Sequence, residues 1–311
     1  MQIIVTGSIA YDYLMSFPGS FSEHLLPEHL KRVSLSFLVD SMDKRRGGCG
    51  PNIAYTLALL GERPRLMATA GQDFDEYRQW LDASGVDTSL VKTVAGKFTA
   101  SFFCSTDRDG NQIASFYTGA MAHAGELSFR AAGGADLAII SPNDPDAMVQ
   151  YARECQAIGI PYIFDPSQQV ARMSGEALRH GLLGAHLVIC NDYEFEIIRQ
   201  KLDIDAEVML EHAAAVVVTR GAQGAVIRLR DRTIEIPAVQ PVQIVDPTGV
   251  GDAFRGGFMK GLAVRADYEV CGRMGSVAAA YALEHMGGSS HRYTWPEFAG
   301  RYEAAFGPLA L

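Results

Sequence analysis

Residues 246–258, DPTGVGDAFRGGF, place a Gly-Val-Gly sequence in front of an apolar segment with the composition of a buried helix. Small residues at a helix start leave backbone N–H groups uncovered, and the helix dipole adds positive potential there. Gly249, Val250 and Gly251 are therefore predicted to form an anion hole for a phosphoryl group. Asp252 is predicted to be the general base that takes a proton from an alcohol. The alternative is that Asp252 only stabilises the helix start through its charge.

The overall charge limits the partners of the protein. The chain has 311 residues, and 27 basic against 36 acidic side chains give it a net charge of −9. A nucleic acid held by phosphate neutralisation is therefore not expected, although a local basic pocket for a small anion is compatible with this charge. The N-terminus, MQIIVTGSIAYD, lacks the basic start and apolar core of a signal peptide, and no apolar run has the length of a membrane span. We expect a soluble, cytoplasmic protein with no membrane partner.

The cysteines and histidines give no sign of a metal centre. The histidines show no metal-binding spacing, and no two cysteines form a Cys-x-x-Cys pair. An odd, dispersed set of cysteines indicates reduced thiols in the cytoplasm and argues against structural zinc. The five residues concerned are Cys49, Cys104, Cys155, Cys190 and Cys271.

Short apolar runs alternate with helix-like segments between about residue 135 and residue 220. This alternation is typical of repeated βαβ units, whose strands are buried on both faces of a parallel sheet. Polar residues follow several of the runs, which predicts a ligand crevice along the carboxyl edge of the sheet. Strands are predicted at 3–5, 137–140, 162–164, 187–189 and 216–218, and helices at 144–158, 169–180, 192–201 and 205–212.

Two regions break this alternation. Residues 31–46 have the pattern of a half-exposed strand, and residues 98–106 and 112–118 are predicted to form a hairpin around a turn at 107–110. Antiparallel insertions of this kind often form a lid over a site, and the alternative is a peripheral edge of the main sheet. We expect a single domain, residues 1–311, whose lid is formed by segments near 10–16, 31–46 and 98–119.

A second glycine-rich stretch, residues 47–54 (GGCGPNIA), precedes another predicted helix. Taken alone, it is compatible with no more than a tight turn. Together the two stretches resemble the paired signatures of the ribokinase-like (PfkB) family of sugar and nucleoside kinases, with Asn52, Gly61 and Gly71 at the expected spacing. Val250 stands where that family usually has a smaller residue, which puts the reaction rate in question but not the reaction class. The P-loop and protein-kinase sequence elements are absent, so those kinase classes are excluded.

The resemblance covers nearly the whole chain and implies a ribokinase-like, three-layer α/β/α fold with a mainly parallel central sheet and a small β-sheet lid. It implies ATP and Mg²⁺ as cofactors, with Asn191 and Glu194 ordering the metal through water. The alternative for Glu194 is a first-turn glutamate favoured by the helix dipole alone. Gly288 is implied on the far side of the adenine pocket, and the other residues implied for ATP are Asn191, Thr219, Gly221, Gly224 and Gly251.

Several segments, among them DPSQQVAR (165–172) and IASFYTGAM (113–121), are similar to segments typical of the adenosine kinases within that family. This similarity implies transfer of the γ-phosphate of ATP to the 5'-hydroxyl of adenosine. Phe102 and Phe116 lie in opposite arms of the predicted hairpin, and their rings are predicted to sandwich the purine. A core position is the alternative for either ring. The residues implied for substrate binding are Ser8, Asp12, Ser36, Gly48, Asn52, Phe102, Phe116, Gln169, Arg172 and Asp252.

Other functions stay open at this point. They are a purine nucleoside kinase of broader range that accepts inosine or guanosine, a sugar kinase of the same family, and a non-catalytic sensor. The presence of Asp252 together with Asn191 and Glu194 argues against a sensor. A homodimer formed through the lid sheet is expected, because exposed sheet edges can pair. The sequence does not decide whether a potassium ion assists near Asp246.

Overall fold

The computed structural model describes residues 1–25 and 34–309. Its strands are β1 (Ile3–Thr6), β2 (Ala10–Ser16), β3 (Ser41–Gly47), β4 (Arg65–Met67), β5 (Thr69–Ala70), β6 (Lys92–Thr93), β7 (Ala100–Thr106), β8 (Gln112–Tyr117), β9 (Leu137–Ile140), β10 (Tyr162–Phe164), β11 (Leu187–Asn191), β12 (Ala215–Thr219), β13 (Ala225–Arg228) and β14 (Thr233–Ile236). Its helices are α1 (Cys49–Leu59), α2 (Asp75–Ala83), α3 (Pro145–Ile158), α4 (Gly175–Leu182), α5 (Asp192–Leu202), α6 (Ala206–Leu210), α7 (Val250–Ala263), α8 (Tyr268–Leu283) and α9 (Trp295–Phe306). Short 3-10 turns lie at Phe21–Glu23, Gly119–Glu126, Ser167–Ala171 and Gly221–Gln223.

The larger sheet has eight strands in the order β14-β13-β12-β11-β10-β9-β1-β4. Six neighbouring strands of this sheet pair in parallel, namely β4, β1, β9, β10, β11 and β12. Strands β13 and β14 extend the sheet as antiparallel strands. The mainly parallel sheet predicted from the apolar runs is therefore confirmed. Since parallel strands end at one edge, the residues that follow β1, β9, β10, β11 and β12 all border the same crevice.

The larger sheet separates two apolar cores, because neighbouring residues of one strand point to opposite faces. In β1, Ile3 and Val5 pack with α1, α2, α7 and α8, whereas Ile4 packs with the core of α3, α4, α5 and α6. Helices therefore cover both faces, and the predicted three-layer arrangement is confirmed. Within the two described ranges, no helix is long and apolar enough to cross a membrane.

The smaller sheet has the order β3-β2-β7-β8, and we refer to it below as the small sheet. Its β7–β8 hairpin confirms the prediction for 98–118, and β2 pairs with β7 in parallel. The prediction of a strand over 31–46 is only partly correct, since β3 begins at Ser41 and residues 34–40 form no strand. Phe37 instead packs its ring against Phe17 and Phe21, which draws this segment away from the sheet. Residues 31–33 lie outside the described part of the chain.

Two predicted helices are shorter than expected, because polar side chains start them later. The segment 169–180 is divided into a 3-10 turn and α4, which begins where the Ser174 side chain accepts a hydrogen bond from Ala177 N. The segment 205–212 keeps only the short α6, whose first turn is capped by Asp205. Such caps satisfy the free N–H groups of a helix start.

The chain crosses between the two sheets at four points that lie in two close pairs. The crossings at Ser8 and Gly48 touch, because a Cβ on Gly48 would lie 2.2 Å from the carbonyl oxygen of Ser8. The crossings at Phe98 and Gly119 touch in the same way, since a Cβ on Gly119 would lie 2.3 Å from the carbonyl oxygen of Phe98. The small sheet is thus attached to the rest of the molecule through closely packed backbone.

Helix α7 lies between α1 and α8, and two adjacent glycines allow this close packing. A Cβ on Gly256 would lie 2.6 Å from Thr56 Cβ of α1, and one on Gly257 would lie 2.5 Å from the Met274 carbonyl oxygen of α8. Contacts this short exclude any side chain at either position. The Gly-Gly pair of residues 246–258 therefore fixes the position of α7, and with it the position of Asp252.

Candidate active site

Asp252 lies in the first turn of α7, where the side chain of Asn52 reaches it from the first turn of α1. Asn52 Nδ2 donates a hydrogen bond of 2.9 Å to Asp252 Oδ2, across a sequence separation of 200 residues. The two glycine-rich stretches of the sequence thus meet at one point, with the N-termini of both helices directed at it. Two helix dipoles contribute positive potential at this point.

The turn before Asp252 is built from glycines that contact one another. Gly249 has a left-handed backbone (φ 74°), and a Cβ on it would lie 2.4 Å from Gly288 Cα. A Cβ on Gly288 would in turn lie 2.4 Å from Asn52 Nδ2. Side chains at these positions would push the Asn52 amide away from Asp252. Helix α7 starts at Val250, so the residues before Asp252 present the uncovered N–H groups that an anion hole requires.

The carboxylate of Asp252 has an environment that makes it a stronger base than an exposed aspartate. Burial raises the pKa of Asp252 to about 6, although the nearby Arg255 guanidinium and the hydrogen bond from Asn52 oppose this rise. A base is most effective when its pKa approaches the working pH. The geometry and the pKa therefore both suit proton transfer from an alcohol.

Asp246 supports the turn from the other side. Its carboxylate accepts hydrogen bonds from the backbone N–H groups of Thr248 (2.9 Å) and Gly287 (2.8 Å), and Arg45 Nη1 lies 3.6 Å away. Burial would raise the pKa of Asp246, but these hydrogen bonds and the Arg45 charge hold it below its ordinary value. Asp246 therefore joins the turn to the 287–288 segment as a charged side chain.

Asn191 and Glu194 form a capping box at the start of α5. The Asn191 side chain accepts from Glu194 N at 2.7 Å, and Glu194 Oε2 accepts from Asn191 N at 2.8 Å. Ser167 donates to the other carboxylate oxygen at 3.3 Å. Burial raises the pKa of Glu194, and the hydrogen bond from Asn191 opposes this rise. Both interpretations of Glu194 are thus compatible with the structure, since the cap holds its carboxylate at the carboxyl end of β11.

The described residues offer no cluster of three or more His, Cys, Asp and Glu side chains that could hold a metal ion directly. Mg²⁺ keeps several waters and commonly binds through substrate phosphates rather than through a protein cage. The residues present therefore suit a magnesium ion that is held by nucleotide phosphates and contacts Glu194 through water.

A cavity of about 520 Å³ lies beside the anion-hole turn, at the carboxyl edge of β11 and β12. Its size and mostly apolar lining suit an adenine nucleotide. Five of the six residues implied for ATP line it, namely Asn191, Thr219, Gly221, Gly224 and Gly251. Gly288 does not line it, and it packs instead between Gly249 and Asn52.

The far wall of this cavity belongs to α8 and was missed by sequence reasoning. Ser276, Ala279, Ala280 and Leu283 line it, and Val239 and Phe254 lie beside them. The helical spacing of these small residues is a signal that could have identified one α8 face as open to a ligand. The apolar segment alone was equally compatible with a core helix.

The small sheet places one row of side chains across its four strands. Strand register aligns Arg45 of β3, Asp12 of β2, Phe102 of β7 and Phe116 of β8, so all four side chains share one face. This is the inner face, because Arg45 reaches Asp246 from it. Burial raises the pKa of Asp12 to about 6, while Arg45 opposes the rise. A carboxylate and two aromatic rings therefore lie side by side next to the crevice.

The predicted sandwich of a purine between Phe102 and Phe116 is wrong in its geometry. The two residues are directly paired in one antiparallel ladder, which brings their side chains next to each other and not opposite each other. Phe102 is half-buried, and Phe116 is 48% exposed. The rings can form a continuous floor for a flat ligand, but any second wall must come from elsewhere.

Some of the remaining residues predicted to bind substrate lie close to Asp12, and others are exposed. Ser8 and Gly48 lie together at a crossing close to Asp12, and Gln169 is buried with its Oε1 lacking a hydrogen-bond partner within residues 1–25 and 34–309. Arg172 is exposed at the end of the same 3-10 turn. Ser36 is exposed, and among the described residues no hydrogen bond joins it to the site.

Comparison with known proteins places the chain in a family. Residues 9–294 match the family model described as pfkB family carbohydrate kinase. The nucleoside kinase of Methanothermobacter thermautotrophicus is 31% identical, over 98% of this chain and 97% of its own length. The structure of Burkholderia thailandensis nucleoside kinase in complex with inosine is 38% identical and has a TM-score of 0.87, with 98% of each chain covered. That enzyme has also been solved in complex with ADP-inosine, where the TM-score is 0.86.

A more distant structure, the ribokinase of Thermotoga maritima, has a TM-score of 0.80 at 21% identity and shows the shared fold alone. The family match and the similarity to nucleoside kinases show the class of the protein, an ATP-dependent phosphotransferase with an alcohol acceptor. The chain belongs to the pfkB family of carbohydrate kinases.

The Asp252→Asn variant tests the base. We expect kcat to fall about 10²–10⁴-fold with little change in the Kd of the acceptor, because a base acts only as charge develops in the transition state. The measurement is steady-state turnover together with calorimetric binding of the acceptor. Asp267→Asn, at the N-cap of α8, is the matched control and should keep normal turnover. Turnover of about a tenth of wild type or more in Asp252→Asn would remove Asp252 from the mechanism.

Proposed function

We propose that the chain is a purine nucleoside kinase, which transfers the γ-phosphate of ATP to the 5'-hydroxyl of adenosine, inosine or guanosine. The observation that supports it most is the inner row of the small sheet, where Asp12, Phe102 and Phe116 lie side by side. A carboxylate suits the paired hydroxyls of a ribose, and neighbouring aromatic rings suit the flat face of a base. A free sugar has hydroxyls but no such face.

The comparisons support the broad range over adenosine alone. The 38% identical structure of the Burkholderia thailandensis enzyme contains inosine, and the archaeal relative is named for nucleosides in general. Inosine and adenosine share the ribose and the flat purine, and differ at one exocyclic position. The aromatic rings of the inner row cannot distinguish them, because stacking on a π-face tolerates any base. Adenosine thus enters as one substrate among several.

In the reaction we propose, Asp252 accepts the proton of the 5'-hydroxyl while the oxygen of that hydroxyl attacks the γ-phosphorus. The new O–P bond forms as the bond from that phosphorus to the β,γ-bridging oxygen breaks, and ADP leaves with the electron pair. The N–H groups of the 249–251 turn stabilise the charge that spreads over the γ-phosphate oxygens. Asn52 holds the Asp252 carboxylate in line through its hydrogen bond.

Magnesium, when bound to the nucleotide phosphates, would supply further neutralisation of their charge. Asn191 and Glu194 are the residues that would order its waters. The structure offers less support for potassium at Asp246, since that carboxylate already receives two backbone N–H groups and the Arg45 charge. We propose a cytoplasmic location, because all five cysteines are free thiols.

Glu194→Gln tests the magnesium assignment. The amide keeps the capping-box geometry but removes the charge that holds the metal's waters, so we expect a higher half-saturating Mg²⁺ concentration and an almost unchanged KM for the nucleoside. Titration of activity with Mg²⁺ at saturating ATP measures this. Glu196→Gln, two residues along the same helix and exposed, is the control. Overlaying titrations for the wild type and Glu194→Gln would restrict Glu194 to its role as a helix cap.

The inner-row phenylalanines are tested by a panel of adenosine, inosine and ribose. Phe102→Ala and Phe116→Ala should each weaken nucleoside binding by about 1–3 kcal/mol, with the larger loss for the more buried Phe102. Ribose should be a poor substrate and should respond little to either substitution. The measurement is kcat/KM for the three acceptors.

Phe103→Ala is the matched control for this panel, because Phe103 lies in the same strand but on the outer face, stacked on Tyr13. It should leave all three kcat/KM values near those of the wild type. Ribose turnover equal to that of the nucleosides, with silent Phe102 and Phe116 variants, would favour a sugar kinase instead. A preference for adenosine over inosine by several orders of magnitude would restore the narrower adenosine kinase assignment.

We further propose a homodimer through the small sheet. Its outer face exposes Met42 (60%) and Ile113 (42%), and every residue of the edge strand β8 is exposed. Exposed apolar residues on an unpaired edge favour association with a second copy. Light scattering should give a dimer mass for the wild type and a monomer mass for Ile113→Glu. Ile158→Glu, at an exposed isoleucine of α3, should leave the mass unchanged. A monomeric wild type would refute the dimer.

A further inference from the structure

A buried ion pair lies directly behind the active site. Arg255 Nη2 contacts Asp165 Oδ1 at 2.5 Å, and the exposed fractions of the two side chains are 5% and 0%. Removal of two charges from water is costly, so a pair of this kind contributes little to stability compared with apolar residues of similar size. Its position beside the reacting groups calls for a different explanation.

The pair is also poorly arranged as a stabilising contact. Arg255 Nε and Asp165 Oδ2 are both buried and lack hydrogen-bond partners among the described residues. A guanidinium and a carboxylate that serve stability usually form two parallel hydrogen bonds. Here the guanidinium makes one such bond to Asp165 through Nη2, and neither Nε nor Nη1 completes a second one.

The guanidinium of Arg255 lies under the anion-hole turn. Arg255 follows Asp252 by less than one helical turn in α7, and its Nη1 is 2.8 Å from the point where a Cβ on Gly251 would lie. The absence of a side chain at Gly251 therefore leaves the space that the guanidinium occupies. A positive charge in this position adds to the potential of the helix N-terminus.

Three carboxylates surround this one guanidinium, namely those of Asp165, Asp252 and Glu194. Asp165 follows β10, and two residues later Ser167 has a left-handed backbone (φ 44°) and donates its hydroxyl to Glu194. Such a conformation is unfavourable for a residue with a side chain and is often found at functional sites. One short turn thus holds both Asp165, the ion-pair partner of Arg255, and Ser167, the hydrogen-bond donor to Glu194.

We propose that Arg255 and Asp165 are positioning residues for phosphoryl transfer, which hold a fixed positive charge beneath the anion hole and beside the Asp252 carboxylate. The inference rests on the proposed role of Asp252 as the base. Arg255 acts through Asp252 and through the N–H groups of the turn.

The charges that face Asp252 give this proposal a signature. They come from Arg255 on its own helix and from Asp165 behind it, while α1 contributes the Asn52 amide and the Cys49 thiol. Arg255 lowers the pKa of Asp252 and Asp165 raises it, against the larger effect of burial. Loss of Arg255 should therefore move the pKa of Asp252 up, and loss of the Asp165 charge should move it down. A pair without electrostatic influence on the base would give no such opposite shifts.

The test is the pH dependence of kcat for inosine with saturating ATP in Arg255→Met, Asp165→Asn and the double variant. The base must be ionised, so activity rises with pH through its pKa. We expect the acid limb of the profile to lie at a higher pH than in the wild type for Arg255→Met and at a lower pH for Asp165→Asn. For the double variant it should lie at a slightly higher pH than in the wild type. Below the limb, each unit of upward shift costs about tenfold in kcat. All variants keep Asp12, whose own titration near pH 6 is therefore common to every profile.

Thermal unfolding separates this role from a structural one. Arg255→Met leaves Asp165 buried without its partner and should lower the Tm, whereas the double variant removes both charges and should recover much of that loss. Recovery of Tm without recovery of the wild-type acid limb supports the proposal. Should Arg255→Met fail to fold, the nearly isosteric Asp165→Asn and the double variant still decide the question.

Lys260 and Glu62 supply a matched control on the same helix. They form another largely buried pair, with Nζ and Oε1 2.7 Å apart, but further along α7 from the turn. A Lys260→Met/Glu62→Leu variant should leave the acid limb in place. The proposal is overturned if the acid limbs of all the Arg255 and Asp165 variants overlay on wild type. Full activity of Asp252→Asn would instead refute the base itself, which is a separate outcome.

Discussion

The hydrogen bond between Asn52 and Asp252 is the contact on which the rest of the site depends. It joins the starts of two helices that belong to opposite ends of the chain. Both helices can reach this point only because glycines line the approach, with Gly249, Gly288 and Asn52 in direct contact. The larger sheet provides the rigid frame, since α1 and α7 pack on the same face of it. The position of Asn52 relative to Asp252 is thus set by the packing of the backbone around them.

Electrostatics then gives each side of the crevice its task. Uncovered N–H groups and the Arg255 guanidinium add positive potential beside the Asp252 carboxylate, whereas the nucleotide cavity next to it is mostly apolar. The small sheet adds the Asp12 carboxylate and aromatic rings on its inner face. An acceptor with hydroxyls at one end and a flat ring at the other matches this distribution. Under the proposed function a phosphate donor occupies the opposite side, and the two substrates meet at the turn between them.

The parts of the structure that follow local rules could be predicted from the sequence. Continuous apolar runs indicated the parallel strands, and glycines before an apolar segment indicated the helix that starts just before Asp252. Contacts that depend on strand register or on segments far apart in the chain could not be predicted, because local sequence patterns do not determine which residues meet in the folded protein. The side-by-side placement of Phe102 and Phe116 needs the ladder register, and the position of Gly288 needs the contact with Gly249. The ion pair of Arg255 and Asp165 also joins two separate motifs, residues 246–258 and residues 165–172. The second motif was associated only with substrate binding in the sequence.

The close pairing of the chain crossings between the sheets has a mechanical consequence. The two pairs, at Ser8 with Gly48 and at Phe98 with Gly119, define a line along which the small sheet joins the rest of the molecule. Rotation about this line would change few backbone angles and would leave the hydrogen bonds within both sheets intact. Asp12 and the aromatic floor would move as one body, so under the proposed function the ribose and the base would be released together. A nucleotide product could then depart without any local unfolding of the sheet that holds it.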